Sequence, residues 1–251
     1  MGSLKILSWN MQGRDLNWKW LVEEAEFDIA FLQEATYPTG FEDNFISVIH
    51  HPKKKLAWGT AIVSKSMKLE PFNNLKFGYW GFKMNGSVAV AQTMGDNPIW
   101  FASMHCGHKA VAGREFVRNP LEGLALDGKT PVKEITVISH LLSQKLIGQR
   151  FIAGGDLNVS LLHDESRGGR AGEKQLNLLA EAGFLDIRKK FLEQEMQSFF
   201  KAGSRASQLD HLFADETLFE SAVDWKIMTE VVADLQLSDH APIVAEFTIA
   251  D

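Results

Sequence analysis

Short apolar or alternating runs recur along the chain, and ten of them predict β-strands. They are rich in Val, Ile, Phe and Trp, and most end at Gly, Asn, Asp or Pro. The predicted strands lie near residues 4–10, 27–35, 45–51, 59–65, 88–94, 98–106, 150–158, 209–215, 223–228 and 242–249. Helical periodicity is clear in three stretches, residues 17–26, 131–147 and 173–183.

Ten strands and only three helices favour an α+β fold in which two sheets pack face to face and the helices lie outside. A doubly wound parallel sheet would need a helix between most consecutive strands, and the pattern does not contain them. No repeat, low-complexity tract or linker interrupts the chain, so we expect residues 1–251 to form a single domain.

Composition and charge limit the function classes. The chain is 45% hydrophobic and 23% charged, as is typical of globular proteins. Its single cysteine, Cys106, excludes an internal disulfide framework and a zinc site built on several thiolates. We see neither a secretory signal nor a membrane span, and expect a cytoplasmic protein. The net charge of −6 counts against indiscriminate nucleic-acid binding but leaves room for a local basic patch.

Polar side chains gather where the predicted strands end. Strand ends and the loops after them are where a rigid scaffold displays functional groups. The residues at these positions are Asn10, Gln12, Gln33, Glu34, His105, His108, Asp156, Asn158, Asp210, His211, Asp239 and His240. Oxygen donors dominate this set, and carboxylates, carbonyls and water are the ligands that Mg²⁺ and Mn²⁺ prefer. Such a site suits metal-assisted attack of water on a phosphate ester.

The order of the motifs resembles the endonuclease/exonuclease/phosphatase superfamily, which includes deoxyribonuclease I, abasic-site endonucleases, sphingomyelinases and inositol polyphosphate phosphatases. The matching segments are SWN (8–10), LQE (32–34), SMH (103–105), GGDLN (154–158), LDHLFAD (209–215) and SDHAPI (238–243). They span nearly the whole chain. The resemblance implies a four-layered αββα sandwich of two packed, mostly antiparallel or mixed sheets, in agreement with the strand and helix pattern.

The resemblance also implies a metal site for Mg²⁺, with Mn²⁺ as an alternative. Glu34 occupies the position of the main metal ligand, Asn10 lies beside it, and Asp239 lies close to the metal. One position departs from the family pattern, because Gln12 stands where abasic-site endonucleases carry an acid. An amide brings no charge, so we expect looser metal binding here and a weaker case for abasic-site repair.

For catalysis the resemblance implies that Asp156 orients and deprotonates the attacking water while Asn158 holds the phosphate. His240 corresponds to the histidine that contacts the scissile phosphate, and Asp210 to the carboxylate that orients it. His105 stands where relatives place a histidine or tyrosine against the phosphate.

Ordinary structural roles remain open for some of these residues. Asp156 and Asn158 are typical of a turn after a strand. Asp210 has a nearby alternative partner in Arg205, and His105 is also compatible with a hydrogen-bonded position in the core. Because neighbouring side chains of a strand point to opposite faces, Asp239 and His240 can reach one site only from the loop before the last strand.

Candidate substrate-binding residues lie in three segments that we predict to be loops. Arg114 and Arg118 lie in the longest, residues 107–130, and Arg167 and Arg170 in a Gly-rich segment, residues 163–174. The third, residues 50–58, has three lysines that lead to Trp58. Basic residues beside an aromatic one suit a phosphate track with a stacking residue, although a charge run is usually a solvated face.

Three functions follow from this pattern. The first is a metal-dependent nuclease that acts on DNA or RNA as a monomer. The second is a phosphodiesterase or phosphatase for a small-molecule or lipid phosphate ester, for which the chain carries no diagnostic motif. The third is a non-catalytic binding module, which we disfavour because every catalytic position is filled apart from the Gln12 variation.

Overall fold

The structure is a computed structural model that describes residues 2–53, 56–72, 86–107, 110–111 and 132–249. Its strands are β1 (Gly2–Asn10), β2 (Ile29–Thr36), β3 (Ser47–Pro52), β4 (Trp58–Ser64), β5 (Leu69–Pro71), β6 (Val88–Thr93), β7 (Ile99–His105), β8 (Ala110–Val111), β9 (Val132–Lys133), β10 (Arg150–Asp156), β11 (Leu185–Asp186), β12 (Asp210–Ala214), β13 (Ala222–Ile227) and β14 (Ile243–Ile249). Its helices are α1 (Leu16–Glu23), α2 (Glu134–Leu146), α3 (Leu161–Arg167), α4 (Ala171–Glu181), α5 (Glu216–Ser221) and α6 (Glu230–Ala233), with 3₁₀ turns at Glu42–Asn44 and Ile187–Lys190.

Twelve of these strands form two six-stranded sheets. The first has the order β13-β14-β1-β2-β4-β3 and the second the order β11-β12-β10-β7-β6-β5, while β8 and β9 pair separately. The pairs β1–β2 and β7–β10 are parallel, and the other pairs within the two sheets are antiparallel. The predicted α+β sandwich of two mixed sheets is therefore confirmed.

Three apolar layers hold the sandwich together. The central layer lies between the sheets, where Phe31 of one sheet packs on Phe101 of the other with ring centroids 6.3 Å apart. The second layer joins the outer face of the second sheet to α2 and α4, and includes Leu142 and Leu179. The third joins the outer face of the first sheet to α1, through residues such as Trp18. Three layers of core between four layers of structure give the αββα arrangement.

The structure differs from the predicted pattern at residues 163–174. We predicted a Gly-rich loop, but α3 and the start of α4 occupy most of this segment. Ser160 caps α3 by accepting a hydrogen bond from the backbone N–H of His163, and Gly168 ends the helix with a left-handed φ of 66°. A serine cap and a glycine stop therefore define a helix where the glycine content alone indicated a loop.

Candidate active site

The ends of neighbouring strands bring three candidate residues into one row. In the second sheet Asp156, the last residue of β10, is in register with His105 at the end of β7. On its other side Asp156 is in register with Asp210, the first residue of β12. Directly opposed residues of paired strands project their side chains to the same face of a sheet. The strand register therefore sets His105, Asp156 and Asp210 side by side.

The glycine pair before Asp156 allows the strands to approach this closely. Gly155 has a φ of 142°, and a Cβ atom added there would collide with the carbonyl oxygen of Met104 on β7. It would also lie 3.0 Å from the side-chain nitrogen of Gln33, which comes from the other sheet. Only glycine tolerates both the backbone angle and the contact. The GG of the GGDLN motif thus makes room for the site.

Left-handed backbone conformations concentrate around the site. Four non-glycine residues in the described part of the chain have a positive φ, and three of them, Gln12, Glu34 and Asn158, line one pocket. Glu34 has a φ of 46° and lies at the irregularity that shifts the β2–β4 register between Leu32 and Ala35. A bulge of this kind redirects a side chain. Such conformations are costly for side-chain-bearing residues and cluster at functional sites.

One oxygen atom, Oδ2 of Asp156, lies at the centre of the polar contacts. The side-chain Nδ2 of Asn10 donates a hydrogen bond to it over 3.0 Å. The Nε2 atoms of His240 and His105 lie 3.8 and 3.9 Å away from it. The other oxygen, Oδ1, accepts the backbone N–H of Asn158 at 3.0 Å. Asp156 is thereby held in one orientation by groups from both sheets.

The ring of His240 is hydrogen-bonded to Asp210. Its Nδ1 lies 2.9 Å from Oδ2 of Asp210, and both side chains are buried. The same carboxylate oxygen accepts a hydrogen bond of 2.7 Å from the hydroxyl of Ser198. Arg205, the alternative partner for Asp210, instead donates to the backbone oxygen of Ser166.

His240 carries a positive charge at neutral pH. Burial lowers the pKa of this histidine, but the charges of Asp210 and Asp156, the hydrogen bond to Asp210 and the charge of Asp239 raise it, so that the pKa reaches about 10. Both ring nitrogens of a protonated histidine are donors. With Nδ1 turned to Asp210, the Nε2–H of His240 faces the side of the pocket where Asp156 lies.

His105 lies at the edge of the carboxylate row. Its Nε2 is 3.7 Å from Oε1 of Glu34, so the ring lies between Glu34 and Asp156. Its Nδ1 has no hydrogen-bond partner within the described residues. The ring also packs on Trp58, with centroids 5.9 Å apart, and the ammonium group of Lys53 lies 5.5 Å from the Trp58 ring. Although His105 is buried, its ring thus faces the candidate site.

A pocket of about 270 Å³ opens at this end of the sandwich. Seven of the eight predicted catalytic and metal residues line it, and the eighth, Asp210, lies behind His240. The lining consists of Asn10, Gln12, Glu34, His105, Gly107, Asp156, Asn158, Phe199, Lys201, Leu209, Asp239 and His240. The fold therefore collects residues from six distant segments of the chain at one cavity.

The predicted substrate-binding residues have different locations. Trp58 packs beside the pocket on His105, and Arg167 lines a larger groove that adjoins it. Arg170 lies on the surface in a double hydrogen bond with Glu173 and lines neither cavity. Arg114 and Arg118 lie outside the described residues.

Sequence reasoning missed the residues that hold this site in place. Ser198 binds the Asp210 carboxylate, and its carbonyl oxygen accepts the backbone N–H of Ala241. The indole N–H of Trp9 donates to the backbone carbonyl oxygen of His240. The hydroxyl of Ser238 donates to the backbone carbonyl oxygen of Asn10. Ser198 has no recognisable motif around it, whereas Trp9 and Ser238 belong to the SWN and SDHAPI segments.

The donor set on the more open side of the pocket fits a hard divalent cation. Glu34 and Asp239 supply half-buried carboxylates, and Oε1 of Gln12 is buried without a hydrogen-bond partner among the described residues. The oxygen of Asn10 already accepts the backbone N–H of Gln12 at 3.0 Å. Oxygen donors without nitrogen or sulfur are typical of Mg²⁺ and Mn²⁺ sites.

A second group of potential ligands lies on the buried side. Within the described residues, Asp156, Asp210 and His240 form one group whose ligand atoms all lie within 4.8 Å of one another. Because Nδ1 of His240 is hydrogen-bonded to Asp210, we interpret this group as an acid–base pair beside a carboxylate.

A family model described as the Endonuclease/Exonuclease/phosphatase family matches residues 7–240. The chain belongs to this family. Its members are nucleases and phosphatases, and the protein is accordingly an enzyme that hydrolyses phosphate ester bonds. The sequence-based recognition is thus confirmed.

Among curated proteins, no sequence matches the chain significantly. Within the described helices, none is long and apolar enough to cross a membrane.

Solved structures similar to this one share its fold at low identity. A 3′ phosphatase, NExo from Neisseria, bound to a product DNA hairpin, is 17% identical with a TM-score of 0.70 over 98% of this chain and 100% of that one. An AP endonuclease from Leishmania major is 16% identical with a TM-score of 0.70, covering 99% of this chain and 88% of that one. An AP endonuclease from Archaeoglobus fulgidus is 18% identical with a TM-score of 0.70, covering 98% and 100%.

Proposed function

We propose that the protein is a Mg²⁺-dependent nuclease that hydrolyses phosphodiester bonds of DNA or RNA with a water molecule activated by Asp156. The single observation that carries this proposal is the position of Asp156 Oδ2, which lies within 4 Å of nitrogen atoms from Asn10, His105 and His240. A carboxylate held in this way at the floor of a pocket is suited to accept a proton from a water that attacks a bound phosphate.

Asn10 and Asn158 fix the position of that carboxylate. The hydrogen bond from Asn10 comes from the first sheet and the bond from the Asn158 backbone comes from the loop after β10. The side-chain nitrogen of Asn158 donates to the carbonyl oxygen of Cys106, which fixes the Asn158 side chain at the pocket wall. The oxygen of that amide is then turned away from Cys106, and we assign Asn158 to holding the substrate phosphate.

His240 supplies positive charge where the phosphate gains negative charge. As an imidazolium held by Asp210, it has an Nε2–H that can donate to a non-bridging phosphate oxygen. A preorganised charged donor of this kind is most effective in a site that excludes water. We assign His105 to the same phosphate from the opposite side of Asp156.

Glu34 and Asp239, with the free oxygen of Gln12, would hold Mg²⁺ or, as an alternative, Mn²⁺. When bound, the cation neutralises non-bridging oxygens of the phosphate and orients the substrate. Asn10 is assigned a supporting position in this set, since its two side-chain atoms already bind Asp156 and the Gln12 backbone.

Two observations support a nucleic acid over a compact ester as the substrate. The catalytic pocket is open on the side of a larger groove, so a ligand can continue past the site. One structural neighbour was solved with a product DNA hairpin, and others are AP endonucleases. We further propose that the enzyme acts as a monomer in the cytoplasm, as expected from the sequence.

A substrate panel tests this proposal. Purified protein is incubated with Mg²⁺ and supercoiled plasmid, single-stranded DNA, RNA, bis(p-nitrophenyl) phosphate and small phosphate monoesters, each with a chelator control. We expect cleavage of at least one polymer and its loss with chelator. Hydrolysis of a small ester with no cleavage of any polymer would refute the nuclease assignment, and activity that survives the chelator would refute the metal requirement.

A further inference from the structure

The carboxylate of Glu134, the first residue of α2, joins two segments that border the candidate active site. Its Oε1 accepts a hydrogen bond of 2.8 Å from the hydroxyl of Ser87, the residue before β6. Its Oε2 accepts the backbone N–H of Gly107, two residues after the end of β7, also at 2.8 Å. We call these two hydrogen bonds the Glu134 bridge. Glu134 lies outside the six segments that resemble the family.

The backbone that leads to Gly107 is held at every residue. The N–H of His105 donates to the carbonyl oxygen of Ser87 at 2.8 Å. The N–H of Cys106 donates to the carbonyl oxygen of Asp156, also at 2.8 Å. With the hydrogen bond at Gly107, three successive N–H groups therefore have partners on three different segments of the chain. The Glu134 bridge closes a ring of contacts around the end of β7.

Two side chains that we assign to the substrate phosphate depend on this stretch of backbone. The ring of His105 projects from it, and its Nε2 lies 3.9 Å from Oδ2 of Asp156. The side-chain nitrogen of Asn158 donates to the carbonyl oxygen of Cys106 at 2.8 Å. A displacement of this backbone would move both side chains, and a displacement of about 1 Å can cost roughly 100-fold in rate. The bridge can therefore affect turnover without contacting the substrate.

The glycine at position 107 makes room for the carboxylate. A Cβ atom added to Gly107 would lie 2.8 Å from Oε2 of Glu134, which is too close for the present position of the carboxylate. Both partners of the carboxylate are donors, and hydrogen bonds to an ionised acceptor are roughly twice as strong as those between neutral groups. A carboxylate beside a glycine thus suits this position.

We propose that Glu134 is a positioning residue for the hydrolysis of the phosphate ester, and that the Glu134 bridge holds His105 and Asn158 in place against the substrate phosphate. This inference rests on the proposed function and adds a residue that contacts neither the substrate nor the metal. Because Glu34 and Asp239 lie outside the bridge, its loss should reduce turnover and leave the Mg²⁺ requirement unchanged.

The first test compares the kinetics of Glu134→Leu and Glu134→Gln on bis(p-nitrophenyl) phosphate and on a fluorescein-labelled 12-mer of single-stranded DNA. In Glu134→Leu, kcat should fall by about 10- to 100-fold with the same Mg²⁺ concentration for half-maximal activity. Glu134→Gln should recover much of the rate, since its oxygen can accept from Gly107 while its NH₂ group donates to the Ser87 hydroxyl. Wild-type kcat in Glu134→Leu would overturn the proposal.

The matched control is Glu216→Leu, which changes an exposed acid at the first residue of α5. An acidic residue in the first turn of a helix also interacts favourably with the helix dipole. The control removes that interaction at another helix and should keep wild-type kinetics. A loss of kcat equal to that of Glu134→Leu would show that the effect comes from the helix and not from the bridge.

A double-mutant cycle tests whether Glu134 acts through Asn158. If it does, Glu134→Leu should reduce kcat by a smaller factor in an Asn158→Ala background than in wild type, because the side chain that the bridge positions is already missing. An equal factor in both backgrounds would contradict positioning through Asn158.

The position of Asn158 can also be measured without a substrate. In ¹⁵N-labelled protein, its side-chain NH₂ resonances, identified by their absence in Asn158→Asp, should shift toward those of solvated amides in Glu134→Leu. Ser87→Ala removes one hydrogen bond of the bridge, should shift them in the same direction, and serves where Glu134→Leu fails to fold. Unchanged resonances would overturn the bridge. If they shift but wild-type protein hydrolyses no phosphate ester, the proposed function fails while the bridge stands.

Discussion

The candidate catalytic pocket combines two sides that differ in burial and in hydrogen bonding. The buried side consists of Asp156, Asp210 and His240, each at most 6% exposed, and hydrogen bonds hold all three. The open side consists of Gln12, Glu34 and Asp239, which are half-buried. Within the described residues no side chain of the open side makes a hydrogen bond, and Glu34 has one ion-pair contact, with Nε2 of His105 at 3.7 Å.

This contrast suits the two tasks that we propose for the site. Proton transfer and charge stabilisation need groups that are already in position, because a displacement of about 1 Å can cost roughly 100-fold in rate. A cation site instead needs oxygen atoms that are not yet committed to protein donors. We therefore expect changes on the buried side to affect turnover and stability, and changes on the open side to affect the metal requirement.

The largest expected effect is on turnover, at Asp156. Asp156→Asn retains the shape and the packing but removes the basic carboxylate, so kcat should fall by about 10³-fold or more. Thermal unfolding and far-UV circular dichroism should match those of wild type. The matched control is Asp96→Asn, an exposed aspartate on the turn before β7. Near-normal turnover of Asp156→Asn would refute its role as the base.

The next effect concerns the pH dependence of stability on the buried side. The pKa of His240 is about 10 in the folded protein, above the ordinary value of 6.5. Its contribution to stability is thus fully present below about pH 6.5 and is lost as the pH rises toward 10. In chelator, the free energy of unfolding of wild type should fall by on the order of 2–4 kcal/mol between pH 7 and pH 10 through this group.

Asp210→Asn supplies the comparison for that measurement. The variant removes the nearest charge that raises the pKa of His240, so its stability should depend less steeply on pH across the same range. Urea unfolding at matched pH values measures both proteins, and the difference between them cancels other groups that titrate near pH 10. If the stability of the two proteins depended on pH in the same way, the ion pair between Asp210 and His240 would be contradicted.

On the open side, Glu34→Gln should raise the Mg²⁺ concentration for half-maximal activity by at least about 10-fold, since it removes one of two charged oxygen ligands. Activity should recover in part at high Mg²⁺, which distinguishes a lost ligand from a lost base. The control Glu181→Gln changes an exposed residue at the end of α4. An unchanged Mg²⁺ concentration for half-maximal activity would show that Glu34 is not a metal ligand.

The smallest effect is expected at Ser198, which supports the buried side without reaching the substrate. Ser198→Ala removes the hydrogen bond to the Asp210 carboxylate and the acceptor for the backbone N–H groups of Leu209 and Asp210, and should cost roughly 1–3 kcal/mol of stability. It should also shift the high-pH limb of the stability profile to lower pH, because the His240–Asp210 pair is held less firmly. A loss of stability with no change of that profile would leave Ser198 as a packing residue only.

Much of the fold was predictable from local pattern. The ten predicted strands appear as long or medium strands of the two sheets, because period-two patterns and turn residues act over a few positions. The short pieces were not predictable: β5, β11 and helix α5 span three, two and six residues. Elements this short carry too little periodicity and depend on the neighbours that they pack against.

The sequence by itself determined the residue types of the site and their order, from Asn10 to His240. It could not determine which groups meet, because those contacts join residues far apart in the chain. Asn10 and Asp156 are 146 positions apart, and Trp9 and His240, which are joined by a hydrogen bond from the indole to the backbone carbonyl, are 231 positions apart. The positive φ of Glu34 and the adjoining groove also arise from strand register and packing. Tertiary structure alone decided these features, since they follow from how two sheets close on each other.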